Sequence, residues 1–217
     1  IWNVLDAKEG VSDTPEKSVY ERCEVLILLP DGNVELATTY RVTQRLLDKR
    51  AARGAPRHVE PSEAYLEAVM RGLTHHGLPT SHLAPAAMDE TCPPFEHVFV
   101  YGTLLGGEER EHVLETCERR DAWAEATLVD LGRDYPGLVP GGGPVHGELV
   151  ALPEDRGVML ARLDSIEGFH AWASSTNLYR RGFIQTNLGA ERWWAWTYWW
   201  NGASHGNPLM MGDWRQR

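Results

Sequence analysis

Two glutamates occupy nearly the same phrase, Glu9 in LDAKEGV (residues 5–11) and Glu167 in LDSIEGF (residues 163–169). A single carboxylate among apolar side chains suits one task, taking a proton from a nucleophile and returning it to a leaving group. It does so best when burial brings its pKa toward the working pH. Leu163, Ile166 and Phe169 are expected to form that dry wall around Glu167. Taken alone, Glu167 reads first as a helix-end residue before Gly168, solvated or paired with Arg180. A second candidate feature is the glycine-centred turn Tyr101, Gly102, Thr103, Leu104, which ends the run HVFVYGTL. Glycine there marks a tight bend or close backbone approach. The N–H groups of such a loop suit a carboxylate or a developing oxyanion. Taken alone, this too is simply a strand ending in a turn.

Other chemistries find little support. Cys23, Cys92 and Cys117 show no CxxC spacing and, being three, cannot all pair internally. They read as reduced structural thiols of a cytoplasmic protein. The nine histidines show neither HExxH nor zinc-finger spacing, and His75 and His76 read as surface or cap residues. The net charge of −10 disfavours a general nucleic-acid binder, because neutralising phosphates takes clustered Lys and Arg. No apolar run reaches the roughly 20 residues of a membrane span. The opening IWNVLDAKEG lacks the basic-then-apolar pattern of a secretory signal.

The elements around the two glutamates repeat. Tyr20 and Arg22 follow the first phrase, with an expected strand CEVLILL, a turn DGN and the strand ELATTYRV. Tyr179 and Arg181 follow the second, with GFIQTN, a turn at LGAE and RWWAWTYWW. Tyr40 lies 31 positions after Glu9, and Tyr198 lies 31 after Glu167. Ordered matches at constant spacing are what two copies of one fold would give.

Upstream of Glu167 come the strand VFVYGTLL, a helix expected over 108–119, the strand ATLVDLG, a turn-rich YPGLVPGGGP, the strand VHGELVAL and a short helix ending at LDSIEG. Only eight residues precede Glu9. The first copy closes instead on PSEAYLEAVMRGLTHHGLP, whose apolar spacing predicts an amphipathic helix. A loop or hinge is expected at 50–57. The expected division is residues 1–90 for an incomplete first domain, 91–96 for a linker and 97–217 for a complete one.

The ordered set HVFVYGTLLGG, YPGLV, VHGELVAL, LARLDSIEGF, YRR and AWTYWW resembles the gamma-glutamylcyclotransferase-like family, especially its AIG2-like and gamma-glutamylamine cyclotransferase branches. LDAKEGV, YER, TYRV and the helix at 61–79 resemble the later half of the same fold. The resemblance implies an α+β fold, a small mixed β-barrel with flanking helices, here duplicated. It implies intramolecular cyclisation of a γ-glutamyl amide, releasing 5-oxoproline and an amine, amino acid or peptide, without metal, nucleotide or other cofactor. Carried over residue by residue, the catalytic glutamate is Glu167 and the substrate-holding loop is Tyr101, Gly102, Thr103 and Leu104.

Glu9 is then the corresponding base of the first copy. Its site would need a YGTL-like segment from an upstream fragment or a second chain completing residues 1–90. Tyr198 lines the pocket or packs the sheet, and Trp199 or Trp200 is a candidate contact for the leaving group. Two alternatives are a non-catalytic module that holds a γ-glutamyl metabolite, and a cyclotransferase acting on a γ-glutamylated biosynthetic intermediate. No nucleic acid or membrane partner is expected.

Overall fold

The structure, a computed structural model, describes residues 2–56, 58–90, 93–202 and 206–217. In chain order, α1 (Trp2–Glu9), β1 (Tyr20–Leu28), β2 (Val34–Val42), α2 (Gln44–Ala51), α3 (Glu63–His75) and α4 (Leu83–Ala87) come first. Then follow β3 (His97–Val100), β4 (Arg119–Asp130), β5 (Pro136–Ala151), α5 (Arg156–Glu167), β6 (Tyr179–Leu188), β7 (Glu191–Trp200) and β8 (Asn207–Pro208). Two compact units emerge, Ile1–Ile27 with Val34–Ser62, and Leu28–Asn33 with Glu63–Arg217. Thr91 and Cys92 of the expected linker, and Arg57 of the expected loop, lie outside the described residues. Cys23 and Cys117 are free thiols.

The first unit is built on a two-stranded sheet of β1 and β2. Large apolar side chains on it stay open to solvent, among them Val25, Leu26 and Leu36. A two-stranded ribbon has too little area to bury an apolar face by itself.

The second unit is a mixed barrel with flanking helices. Its strand order is β5-β3-β7-β6-β4-β8, and β4 also pairs with β5, so the first five strands close into a ring. Closure removes the exposed strand edges that an open sheet would carry. The pairings are antiparallel except for β3 beside β7, where Val98 faces Trp196. Val98, Phe99, Leu149, Val150, Ala195 and Trp196, on both faces of these strands, are each 5% exposed or less. Among the described residues, no helix is long and apolar enough to cross a membrane.

Two expected elements differ. The segment over 108–119 is not a helix but a series of turns, with one 3-10 turn at Glu111–Val113, before β4 begins at Arg119. Side chains hold its backbone. Glu111 Oε2 accepts from Gly107 N–H at 2.9 Å, and Arg119 donates to the carbonyls of Leu104 and Glu111, each at 2.9 Å. The stretch YPGLVPGGGP, expected as turns, belongs largely to β5. There Pro136 opens the strand, and the register against β4 shifts between Ala126 and Thr127. Prolines are tolerated at such starts and bulges because no ladder N–H is required of them.

Candidate active site

Glu167 is the last residue of α5, and Gly168 follows it at φ +63°. This left-handed residue costs glycine nothing and ends the helix abruptly. The Phe169 N–H bonds back to the Asp164 carbonyl at 2.9 Å, and Leu178 N–H donates to the Gly168 carbonyl at 3.0 Å. The helix end is therefore pinned to the start of β6. Leu163, fully buried in the core, anchors the preceding turn.

The glutamate faces a pocket lined also by Tyr101, Gly102, Thr103, Leu104 and Tyr198. The structure thus brings Glu167, the four residues of the glycine loop and Tyr198 to one pocket. Its cavity volume is ≈ 70 Å³, with a mouth open to solvent. The apolar wall differs in part from the expected one. Ile166 lines the pocket, with Phe99, Leu178 and Tyr179 beside it, whereas Leu163 and Phe169 pack into the core. Trp199 and Trp200 are not part of this lining. Trp199 instead donates its indole N–H to the Pro30 carbonyl at 2.8 Å.

Burial raises the pKa of Glu167 from 4.5 to about 7, opposed by the positive charge of Arg110. The residue keeps partial solvent access, so its surroundings withhold hydration while the mouth leaves it reachable. Its carboxylate forms no hydrogen bond or ion pair with the other described residues, and Arg180 turns away to bond Asn33. Such a group is half ionised near neutrality, the state a proton-transferring base requires.

Across the pocket, Gly102, Thr103 and Leu104 are buried. Their N–H groups find no acceptor among the described residues, whereas the Gly102 and Thr103 carbonyls accept from Leu105 N–H at 3.0 Å and Arg110 N–H at 2.8 Å. A glycine-containing loop with free N–H donors is the kind of backbone that can serve an anionic or carbonyl ligand. Gly102 is required by close packing, since a Cβ there would lie 2.8 Å from Pro136 Cγ.

Tyr101 and Tyr198 contribute rings rather than hydroxyls. Tyr101 donates to the Tyr198 carbonyl, and Tyr198 donates to Asp164 Oδ1 at 2.8 Å. Burial raises the pKa of both phenols. Asp164 also accepts from Arg181 at 2.7 Å. Burial still raises its pKa, against the opposing pull of Arg181 and Tyr198.

Sequence reading missed the support of the loop. Glu148 of β5, opposite Val100 of β3, is 7% exposed and accepts from Gly106 N–H at 3.1 Å and Arg119 at 2.8 Å, with Arg215 also bonded. It also missed Arg110, a cation on the pocket wall. Neither carries a local motif, because each gains its meaning from partners distant in the chain.

In the first unit, Glu9 ends α1 before Gly10 at φ +66°. It is half-buried. Asp6 accepts from Tyr40 at 2.8 Å and from Arg22 Nε at 2.8 Å. The bonds from Arg22 and then Tyr40 lower the pKa of Asp6, against a smaller opposing effect of burial.

A closed mixed barrel, with a buried glutamate facing a glycine loop, defines a small enzyme-like pocket domain. Residues 98–216 match the family described as gamma-glutamyl cyclotransferase, AIG2-like, and residues 1–85 match the AIG2-like family. The chain belongs to the gamma-glutamyl cyclotransferase, AIG2-like family. A gamma-L-glutamyl-butirosin B gamma-glutamyl cyclotransferase of Niallia circulans is 32% identical over 122 residues, covering 55% of this chain and 76% of the relative. A putative gamma-glutamylcyclotransferase of Vibrio cholerae is 37% identical over 124 residues, covering 55% and 96%. The solution structure of protein ytfP from Escherichia coli is 30% identical, covering 56% of this chain and 99% of its own, with a TM-score of 0.41.

Proposed function

We propose that the chain is a cyclotransferase that cleaves γ-glutamyl amides by intramolecular attack, with Glu167 as its base. The observation that carries this reading is Glu167 itself, buried to a pKa of about 7 opposite a loop with three unpaired N–H groups. The substrate's α-ammonium is inert until it loses a proton, and Glu167 takes it. The freed nitrogen attacks the γ-carbonyl carbon, closing a five-membered ring and leaving an oxyanion. Collapse breaks the original amide C–N bond. The attacking nitrogen gives up two protons in all, which Glu167 passes one at a time to the leaving nitrogen. The products are 5-oxoproline and a free ammonium compound. Because nucleophile and carbonyl share one molecule, holding them in a reactive geometry supplies much of the acceleration. The N–H groups of Gly102, Thr103 and Leu104 stabilise either the oxyanion or the substrate's α-carboxylate.

The substrate-holding residues are Tyr101, Gly102, Thr103, Leu104 and Tyr198, the tyrosines acting through their rings. A γ-glutamylated biosynthetic intermediate is a second reading of the leaving group. The name of the Niallia relative, which pairs a γ-glutamyl group with butirosin B, favours it.

Residues 1–90 and 97–217 are two copies of one fold, the first incomplete, joined through 91–96. Two matching constellations support this reading, Asp6 with Arg22 and Tyr40, and Asp164 with Arg181 and Tyr198. The exposed apolar residues of β1 and β2 support completion of the first copy by an upstream fragment or a second chain. Glu9 becomes a base only where that addition brings a YGTL-like loop.

The test is 5-oxoproline release from a panel of γ-glutamyl amides, comparing the parent with Glu167→Gln and Glu9→Gln. Loss in the Glu167 variant alone is the expected result. Loss through Glu9 as well, with folding intact, assigns a second working site to the first copy. A folded parent that binds these amides without releasing 5-oxoproline overturns the enzyme reading and leaves a binding module.

A further inference from the structure

The loop that carries Gly102 also brings a cation to the pocket. Arg110 lines the same wall as Glu167, Thr103 and Tyr179, in a chain whose net charge is −10. Its backbone N–H donates to the Thr103 carbonyl at 2.8 Å, which ties the root of the side chain to the substrate-holding loop. Its guanidinium forms no ion pair or hydrogen bond with any other described residue. The other arginines near the loop are committed. Arg119 and Arg215 hold Glu148, Arg217 pairs with Glu108, and Arg133 donates to Tyr135 at 2.6 Å.

Arg110 and Glu167 therefore share one pocket without closing on each other, although each is within the other's field. An arginine left unspent beside a proton-accepting carboxylate serves recognition better than stability. Its planar fork matches the two oxygens of a carboxylate. A neutral amide offers one oxygen and no opposite charge, and an ammonium group offers no acceptor at all.

Resting on the cyclotransferase reading, we propose that Arg110 is the carboxylate-recognition residue of this pocket and contributes to its choice of substrate. A γ-glutamyl substrate carries that group in up to two places, the α-carboxylate of the glutamyl part and the carboxylate of a leaving amino acid. Recognition of the first serves every γ-glutamyl compound. Recognition of the second favours γ-glutamyl amino acids and peptides over γ-glutamyl amines.

Two substrates that differ only in the second carboxylate separate these sources, γ-glutamyl-alanine and γ-glutamyl-ethylamine. The kcat/KM for 5-oxoproline release is measured for the full chain, Arg110→Gln and Arg110→Lys, with circular dichroism to check folding. Loss of a charge-assisted bond lowers kcat/KM by about 10- to 100-fold in Arg110→Gln, with partial rescue in the lysine variant. An equal fall on both substrates assigns the α-carboxylate, and a fall confined to γ-glutamyl-alanine assigns the leaving group. Calorimetric binding of both compounds to the Glu167→Gln protein, with and without Arg110→Gln, reads recognition apart from turnover. If the parent binds but does not turn over, the enzyme reading fails while this measurement still decides the role of Arg110. Unchanged kcat/KM and unchanged affinity in folded Arg110→Gln overturn the proposal.

Discussion

Tyr198 gives its hydroxyl to Asp164 at 2.8 Å, although its ring forms part of the wall beside Glu167. The same carboxylate takes Arg181, whose guanidinium also lies 4.8 Å from the Trp172 ring and 5.1 Å from that of Trp196. This network joins α5, β6 and β7 directly behind the pocket. Tyr198→Phe removes one bond and leaves Asp164 its arginine, so it costs about 1–2 kcal/mol of stability with little change in KM. Asp164→Asn breaks a largely buried ion pair and costs about 3–5 kcal/mol. Denaturant melts of the two variants check the order, and a large KM rise in Tyr198→Phe would place its hydroxyl on the substrate instead.

On the proposed mechanism, activity is expected to follow the ionisation of Glu167. With a pKa of about 7, the base form declines below neutrality, and kcat/KM falls about tenfold per pH unit on the acid side. Glu167→Gln loses about 10²- to 10⁴-fold and, in any residual activity, loses that acid limb. A pH–rate profile from pH 5 to pH 9, roughly two units either side of the pKa, tests both. An unchanged acid limb in the glutamine variant would assign the base elsewhere.

Stability responds to the same group with a defined sign. The folded pKa of about 7 exceeds the ordinary 4.5, so between those values the folded state holds a proton that the unfolded chain has released. This contribution is full below about 4.5 and is lost as pH rises through about 7. At roughly 1.4 kcal/mol per pKa unit, the loss is at most about 3 kcal/mol, and solvent at the pocket mouth reduces it. Glu167→Gln has no such proton. Urea melts across this range should show the parent losing stability relative to the variant, and parallel curves would contradict the burial of Glu167.

Much of this architecture is legible in local sequence. LDSIEG carries a helix and its glycine stop, and the runs around LGAE and DGN carry hairpins. Such signals depend on neighbouring residues alone. The glycine loop and Glu167 stand out through the order of several motifs along the chain. The turns at 108–119 do not, because Val113 and Leu114 are buried by barrel contacts that helix periodicity cannot distinguish from a helix face. Side chain-to-backbone bonds from Arg119 and Glu111 decide that segment. The prolines of β5 mislead for a related reason, since only the pairing with β4 reveals that one starts a strand and another sits at a register shift. Asp6 and Asp164 make the same point about environment. Their partners match in type, yet burial dominates at Asp164 and raises its pKa, while the hydrogen bonds from Arg22 and Tyr40 dominate at Asp6 and lower it.

Glu148 offers a test of how far the loop must be held to work. It accepts from Gly106 N–H, two residues beyond Leu104, and neutralises Arg119, which in turn grips the Leu104 carbonyl. Removing its carboxylate leaves two arginines facing each other beside the loop without their shared anion. Glu148→Ala therefore costs about 3–5 kcal/mol of stability. In the fraction that remains folded, the loop N–H groups lose their fixed aim, and misplacement of about 1 Å is enough to cost on the order of 100-fold in rate. Glu148→Gln keeps an acceptor for Gly106 but lacks the charge for the arginines, and is expected to lie between the two. Turnover measured at low temperature, where all three proteins are folded, separates the effects. If Glu148→Ala kept parental kcat/KM while losing stability, Glu148 would support the barrel and have no part in aiming the loop.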